Sequence, residues 1–456
     1  MKKENIQSDF NFCRPLDFQK KIDVSKFRFF FKKLLFKKND ISQKHILFLV
    51  TELYSCWNES EEQFLAVSMS KRGYRAKSRY NPNKISSHLI LAIRLLKKEG
   101  LIDFYPGFFD VKKKVSRLSR IRASKDLINE FKKINLNFSD FLNIKTRETI
   151  FLLDKKNNLV EYKDDFFTHE AREVLINYNY NLSKTFFDIA CVEKPFFIRG
   201  DNAKVPISHF CCINKIVFKE TWRDGGVFGG SWWSKIDPFS FNKLSSHMLI
   251  NDEETSYVDL MSIFSTLLSF KSEIHLNDIE TELTFLKKKT FFIKNLNQLS
   301  YLIVKAINSK TLKGFFRSFC IDRKKIGIKE KVSQKEFEIF LDDFKKFSPK
   351  LFNLINSKHS FNWNSIVSDI FYGLMKNFGT SNIPAILVLD KIFYPTKIHN
   401  NVTNYLYNFI SKYSNHKKIQ LKFQKCYAYN FGEKSSIFES LIGNNLKYSN
   451  RFLENK

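Results

Sequence analysis

Ile85-Ser86-Ser87-His88-Leu89-Ile90-Leu91-Ala92-Ile93-Arg94-Leu95-Leu96-Lys97-Lys98-Glu99-Gly100-Leu101-Ile102-Asp103-Phe104-Tyr105 passes from one structural period to another without a break. Ile85, Leu89, Ala92, Ile93 and Leu96 recur at the three- and four-residue intervals that gather side chains on one helix face. Gly100 then stands where a helix end favours a residue free to adopt positive φ. Leu101–Tyr105 reads as a strand. Upstream, Asn81-Pro82-Asn83-Lys84 leads into this helix, and Ile46–Tyr54 forms an earlier helical run. Downstream, Leu118–Arg122 reads as a second strand, the hairpin turning around Pro106-Gly107 and Lys112-Lys113-Lys114.

Helix, basic loop, helix, strand, basic turn, strand is the order of a winged helix, in which a wing follows a recognition helix. The expected winged-helix domain spans 43–125. Between positions 71 and 125 the chain carries sixteen Lys and Arg against three Asp and Glu. A helix of this kind docks in the major groove while loop and wing cations hold phosphates. The candidate nucleic-acid-binding residues are therefore Lys71, Arg72, Arg75, Lys77, Arg79, Lys84, Lys112, Lys113, Lys114, Arg117 and Arg120. The expected partner is double-stranded DNA.

Composition points the same way. The formal net charge of +29 gives a field suited to a polyanion. A hydrophobic share of 43% and an aromatic share of 16% exclude a disordered chain, and 456 residues supply material for two to four domains. The bias towards Phe, Lys, Asn and Ile follows what an AT-rich genome favours, so one Phe cluster carries little weight. The seven cysteines, Cys13, Cys56, Cys191, Cys211, Cys212, Cys320 and Cys426, form no CxxC and no zinc-finger spacing. An unpatterned set of this kind is expected of reduced thiols in a cytoplasmic protein. The sequence has no apolar signal core and no stretch of the roughly 18–20 apolar residues a membrane span needs.

Outside 43–125 the chain divides by pattern. Residues 1–42 are a basic N-terminal segment, with a helical apolar stripe at Phe27, Phe30, Phe31, Leu34 and Leu35. Residues 126–220 alternate short helical and strand-like runs and form a connecting α/β region. Within it, His169-Glu170-Ala171-Arg172 reads as a polar helix face. Next, Arg223–Trp233 concentrates four of the 14 glycines beside Trp232 and Trp233. Glycines let a backbone approach phosphate closely, and the two tryptophans offer faces for a base to stack on. The GxxxxGK[ST] spacing of a P-loop is missing.

Two aspartates then stand out. Ser256-Tyr257-Val258-Asp259-Leu260 puts Asp259 at the end of a β-like run, and Leu387-Val388-Leu389-Asp390-Lys391-Ile392 puts Asp390 on the turn between two apolar runs. Carboxylates brought to neighbouring strand ends suit a pair of Mg²⁺ ions about 3.5–4 Å apart, which clamp the attacking and leaving oxygens of phosphoryl transfer. Between them lie a helix-like run with Lys305 and the helix that starts Trp363-Asn364-Ser365.

The order of these segments over roughly 215–400 resembles the palm and fingers of the family A DNA polymerases and single-subunit RNA polymerases. Asp259 matches the family's first metal-ligand aspartate and Asp390 the second. Lys305 matches the lysine that meets the phosphates of the incoming nucleotide. The sequence departs from the family at Tyr301, where an Arg is usual, and at Leu389, where a His is usual. Lys391 replaces a small or acidic residue, Val227 stands for an Arg, and Asn364 for an acidic residue. The resemblance implies an α+β chain: a winged helix, then a right-hand, polymerase-like palm with helical fingers over 221–400, then a C-terminal region, 401–456. It implies metal-dependent nucleotidyl transfer, either template-directed DNA synthesis or priming, with Asp259, Asp390 and Lys305 as catalytic residues. Mg²⁺ or Mn²⁺ would be the cofactor and nucleoside triphosphates the substrates. The alternative from another class is a non-catalytic DNA-binding replication initiator or regulator of a plasmid or mobile element.

Overall fold

The computed structural model of the protein describes residues 10–21, 43–112, 115–133, 144–185, 187–189, 196–198, 204–206, 214–220, 227–229, 245–251, 253–259, 276–294, 296–307, 309, 311–323, 327–356, 363–388, 391–411 and 423–426. The chain divides into two compact units. Unit 1 comprises Met1–Glu148, Val192–Ser208 and Glu439–Lys456; unit 2 comprises Thr149–Cys191 and His209–Phe438.

Unit 1 starts with a short strand, β1 (Cys13–Pro15), followed by helix α1 (Gln43–Glu59), strand β2 (Phe64–Val67) and helix α2 (His88–Lys98). Strand β3 (Ile102–Tyr105), the small hairpin β4 (Phe108–Asp110) and β5 (Val115–Arg117), strand β6 (Ser119–Ala123) and helix α3 (Lys125–Phe131) complete it. The sheet order is β1-β2-β6-β3, with β6 antiparallel to both β2 and β3 and β1 parallel to β2. Leu89, Ala92, Ile93 and Leu96 of α2, with Ile85 just ahead of it, are buried against Phe48, Leu49, Val50 and Leu53 of α1 and Ile121 of β6. Each of the leucine, isoleucine, valine and phenylalanine side chains among them contributes about 1.5–3 kcal/mol by burial, far more than any surface pair on the same helix. The apolar stripe therefore decides which face of α2 turns outward. Gly100 ends the helix with φ +71°, as the sequence predicts.

The stretch between β2 and α2 holds one 3-10 turn, Lys71–Gly73, and is otherwise a string of turns tied by side chains. Asn81 caps the turn into α2 by accepting from the Ile85 N–H (3.0 Å) and donating to the Ile85 carbonyl (2.8 Å). Asn83 donates to the carbonyls of Phe18 (2.9 Å) and Lys20 (2.7 Å). Segment 10–21 is thereby strapped to the unit.

The strap closes on a buried ion network. Glu52, wholly buried, takes Lys20 Nζ at 2.7 Å and Arg14 Nη2 at 3.3 Å. Burial alone would raise the Asp17 carboxyl, but Arg147, Lys20 and Arg14 offset it and hold its pKa below the usual range. For Lys20 burial prevails, aided by the charge of Arg14 and opposed by Glu52, and its pKa falls. Gln19 pairs with the backbone of Glu148 through both ends of its amide. Unit 1 thus reaches 23 residues past Lys125, the position at which the sequence pattern of the winged helix ends (148 − 125).

Unit 2 has strands β7 (Ile150–Leu153), β8 (Phe187–Ile189), β11 (Lys215–Lys219), β12 (Val227–Gly229), β13 (Met248–Ile250), β14 (Thr255–Asp259), β15 (Ile386–Val388), β16 (Lys391–Pro395) and β17 (Phe423–Lys425). The intervening β9 (Phe196–Ile198) and β10 (Lys204–Pro206) pair with each other in unit 1. Its helices are α4 (Phe166–Ser183), α5 (Leu276–Lys289), α6 (Leu296–Ile307), α7 (Leu312–Asp322), α8 (Gln334–Phe347), α9 (Pro349–Asn356), α10 (Trp363–Thr380) and α11 (His399–Ser411). Helix α4 lies against α10, where a Cβ on Gly379 would stand 3.0 Å from the Tyr178 backbone nitrogen. Tyr178 then donates to the Ala385 carbonyl (2.7 Å) and Asn181 to that of Ile383 (2.8 Å), so α4 fixes the point at which α10 hands the chain to β15. Helices α5 to α9 pack through phenylalanines: Phe292, Phe315, Phe319, Phe337, Phe340 and Phe344 are all buried among them.

Candidate functional site

The antiparallel β2-β6-β3 arrangement puts α2 ahead of β3 and turns its polar side to solvent. His88, Leu91, Arg94, Lys97 and Lys98 are exposed there. Arg94, Lys97 and Lys98 are missing from the cations singled out in sequence, although their signal was available: they are the complement of the apolar stripe. On the connection that precedes α2, Lys71, Arg72, Arg75, Lys77 and Lys84 are exposed, and Lys112 is exposed at the turn of the small hairpin. These are accessible cations on one unit.

Other cations of the sequence reading are engaged with the protein. Arg120 is buried; its Nε donates to the Phe10 carbonyl (2.8 Å) and its Nη1 to the Leu118 carbonyl (2.9 Å). Arg79 pairs with Glu148 at 2.9 Å. Arg117 donates to the Pro106 carbonyl (3.2 Å) and lies over the rings of Phe10 (4.2 Å) and Phe108 (5.2 Å). Lys113, Lys114, Trp232, Trp233 and the 27–36 stripe lie outside the described residues.

In unit 2, strands β15, β16, β14 and β17 form one antiparallel sheet in that order. Register pairs Val258 with Ile392 and Asp259 with Lys391. Asp390 lies outside the described residues and is joined to Lys391 by one peptide bond. The strand ending at Asp259 therefore runs beside the strand that Asp390 precedes in the chain. Lys391 is buried, its Nζ 3.0 Å from Ser245 Oγ and 4.7 Å from the centre of the Tyr257 ring. Nearby, burial pushes the Cys426 thiol up to about 12.

Lys305 sits on α6 and pairs with Asp322 of α7 while donating to Tyr301 Oη at 3.1 Å. Burial lowers its pKa and those two partners more than reverse the effect, so the net shift is upward. Among the described residues no group of three or more His, Cys, Asp or Glu is arranged to hold a metal ion. No helix among them is long and apolar enough to cross a membrane. The chain matches no known protein family and no curated protein.

Proposed function

We propose that this protein binds double-stranded DNA through unit 1, acting as a winged helix. Helix α2 would enter the major groove with Arg94, Lys97 and Lys98, while Lys71, Arg72, Arg75, Lys77, Lys84 and Lys112 would neutralise phosphates on either side. The observation that carries this reading is the β2-β6-β3 register with α2 between β2 and β3, its apolar stripe inward and its cations outward. Phosphate contacts of this kind hold the protein on the duplex, and the face of α2 would read bases.

The test is fluorescence anisotropy of a labelled duplex across a salt series. Arg94→Glu with Lys98→Glu should weaken binding at least about tenfold near 0.15 M salt and flatten the log K against log salt slope by about two. Affinity and slope both unchanged in that variant would sink the reading.

A second reading is favoured by the strand register of unit 2: a polymerase-like palm performing metal-dependent nucleotidyl transfer. The donor set fits the metal, because aspartate oxygens are the ligands that Mg²⁺ or Mn²⁺ prefers, and Asp259 is in register with the residue that follows Asp390. Asp259 and Asp390 would hold the ions, which would supply charge neutralisation and orientation for in-line attack of a 3′-hydroxyl on the α-phosphate of a nucleoside triphosphate, with the α–β anhydride breaking and pyrophosphate leaving. A triphosphate would compete with Asp322 for Lys305. Extension of a labelled primed template with either metal, abolished by Asp259→Ala and by Asp390→Ala with duplex binding intact, is the expected result. Salt-sensitive binding without extension would leave a non-catalytic replication initiator or regulator of a plasmid or mobile element.

A further inference from the structure

Unit 1 carries its most exposed apolar side chains along the small hairpin, from the start of β4 to its turn. Phe108 is 51% exposed, Phe109 70% and Val111 71%. None of them belongs to the core, so folding does not account for them, and their position on a projecting turn makes them a cost in water. Lys112 is exposed beside them and the sequence continues Lys113-Lys114. The stretch from Phe108 to Lys112 therefore sets two rings, the Asp110 carboxylate, an aliphatic side chain and a cation within five residues.

The mount beneath this tip is stiff. Strands β4 and β5 pair Phe108 with Arg117 and Phe109 with Ser116. At the root, Gly107 passes so close to the returning strand that a Cβ there would lie 2.3 Å from the Arg117 carbonyl oxygen. The Gly107 N–H donates to Ser119 Oγ at 3.0 Å, and Arg117 holds the Pro106 carbonyl at 3.2 Å while lying over Phe10 and Phe108.

We infer that the hairpin is a wedge that unstacks base pairs of the bound duplex, with Phe109 entering between bases and Lys112 holding the adjacent phosphates. Duplex DNA presents anionic oxygens outside and flat apolar faces inside, which is the complement of a cation beside an exposed ring. Apolar wedges of this type partly unstack a base step, and an aromatic ring replaces part of the lost stacking at any sequence. The inference rests on unit 1 being the DNA-binding part. It adds a task to it: opening the duplex as well as gripping it.

The experiment uses the full chain and duplexes carrying 2-aminopurine at successive positions, read by fluorescence and by permanganate reactivity of neighbouring thymines. Saturating wild type should raise the fluorescence about twofold or more at one or two adjacent steps. Phe108→Ser with Phe109→Ser should keep duplex affinity within about threefold and lose the rise, and Phe109→Trp should restore much of it. Both serine positions are exposed, so a melting curve matching wild type will accompany the loss. Duplex binding with no rise, or a rise untouched by the double variant, overturns the wedge and leaves the DNA-binding reading standing. Capture of wild type on acidic phospholipid vesicles through the same two residues, with no rise on DNA, overturns it in favour of a membrane surface. Failure of wild type to bind any duplex overturns both.

Discussion

The hairpin that runs from Tyr105 to Ser119 in unit 1 and the one formed by β15 and β16 in unit 2 share one sequence feature, a lysine at the turn or directly after it. Their cations end up in opposite places. Lys112 is exposed at a tip whose phenylalanines are exposed with it, whereas Lys391 begins a strand in which every residue is buried. Lys391 is buried, and its amine meets Ser245 and the Tyr257 ring, whereas Val111 and Lys112 are both exposed. A lysine count says what the chain has to spend on a polyanion. Only the fold says which lysines are left over.

That contrast is open to direct test. Lys391→Ala removes a buried stem and its hydrogen bond to Ser245 Oγ, which should cost about 2–4 kcal/mol of stability, read from the urea midpoint of unit 2 unfolding. A midpoint unchanged within error would mean that Lys391 is solvated like Lys112. A second test concerns a group that acquires charge inside the fold. His45 accepts the Ser86 N–H through Nε2 at 3.0 Å just ahead of α2. Burial first, then the charges of His88 and Lys44, lower its pKa from 6.5 to about 4. The unfolded chain therefore binds the proton first as pH falls, and stability drops between pH 6.5 and about 4. Urea midpoints of unit 1 should fall from pH 7 to pH 5, and His45→Gln should flatten that slope. An equal slope in both proteins would remove His45 from the account. The smallest effect belongs to Lys112→Ala, expected to leave stability within about 0.5 kcal/mol. It should weaken duplex binding two- to threefold, measured by anisotropy beside Arg79→Ala. Because Arg79 is paired with Glu148, its removal should shift stability more than affinity.

Sequence made α2 legible because its signals agree: the stripe, the closing Gly100 and the strand that follows all point to one helix. The strand pair carrying Asp259 and Lys391 was foreseeable as two apolar runs, but its register was not, since pairing is set by partners more than a hundred residues apart. Segment 10–21 escaped notice for the same reason. Arg14, Asp17 and Lys20 look like surface charges until Glu52 and Arg147 are brought to them. The opposite error attaches to Arg79 and Arg120, which a charge count treats as equal to the exposed Lys112 although backbone carbonyls and Glu148 hold them. The exposed Phe108 and Phe109 were hidden by composition: in a chain with 50 Phe, two more suggest core.

The strap across unit 1 also bears on how the protein is made. Gln19 exchanges hydrogen bonds with Glu148, 129 positions later. Contacts so distant along the chain form late. On the ribosome, α1, α2 and the strands around them can assemble as they emerge, but the first segment must wait for residue 148 before its network closes. During that interval Asp17 lacks its Arg147 partner. A pause or a fused partner placed soon after position 125 would hold nascent unit 1 in a state with its N-terminal strap still open.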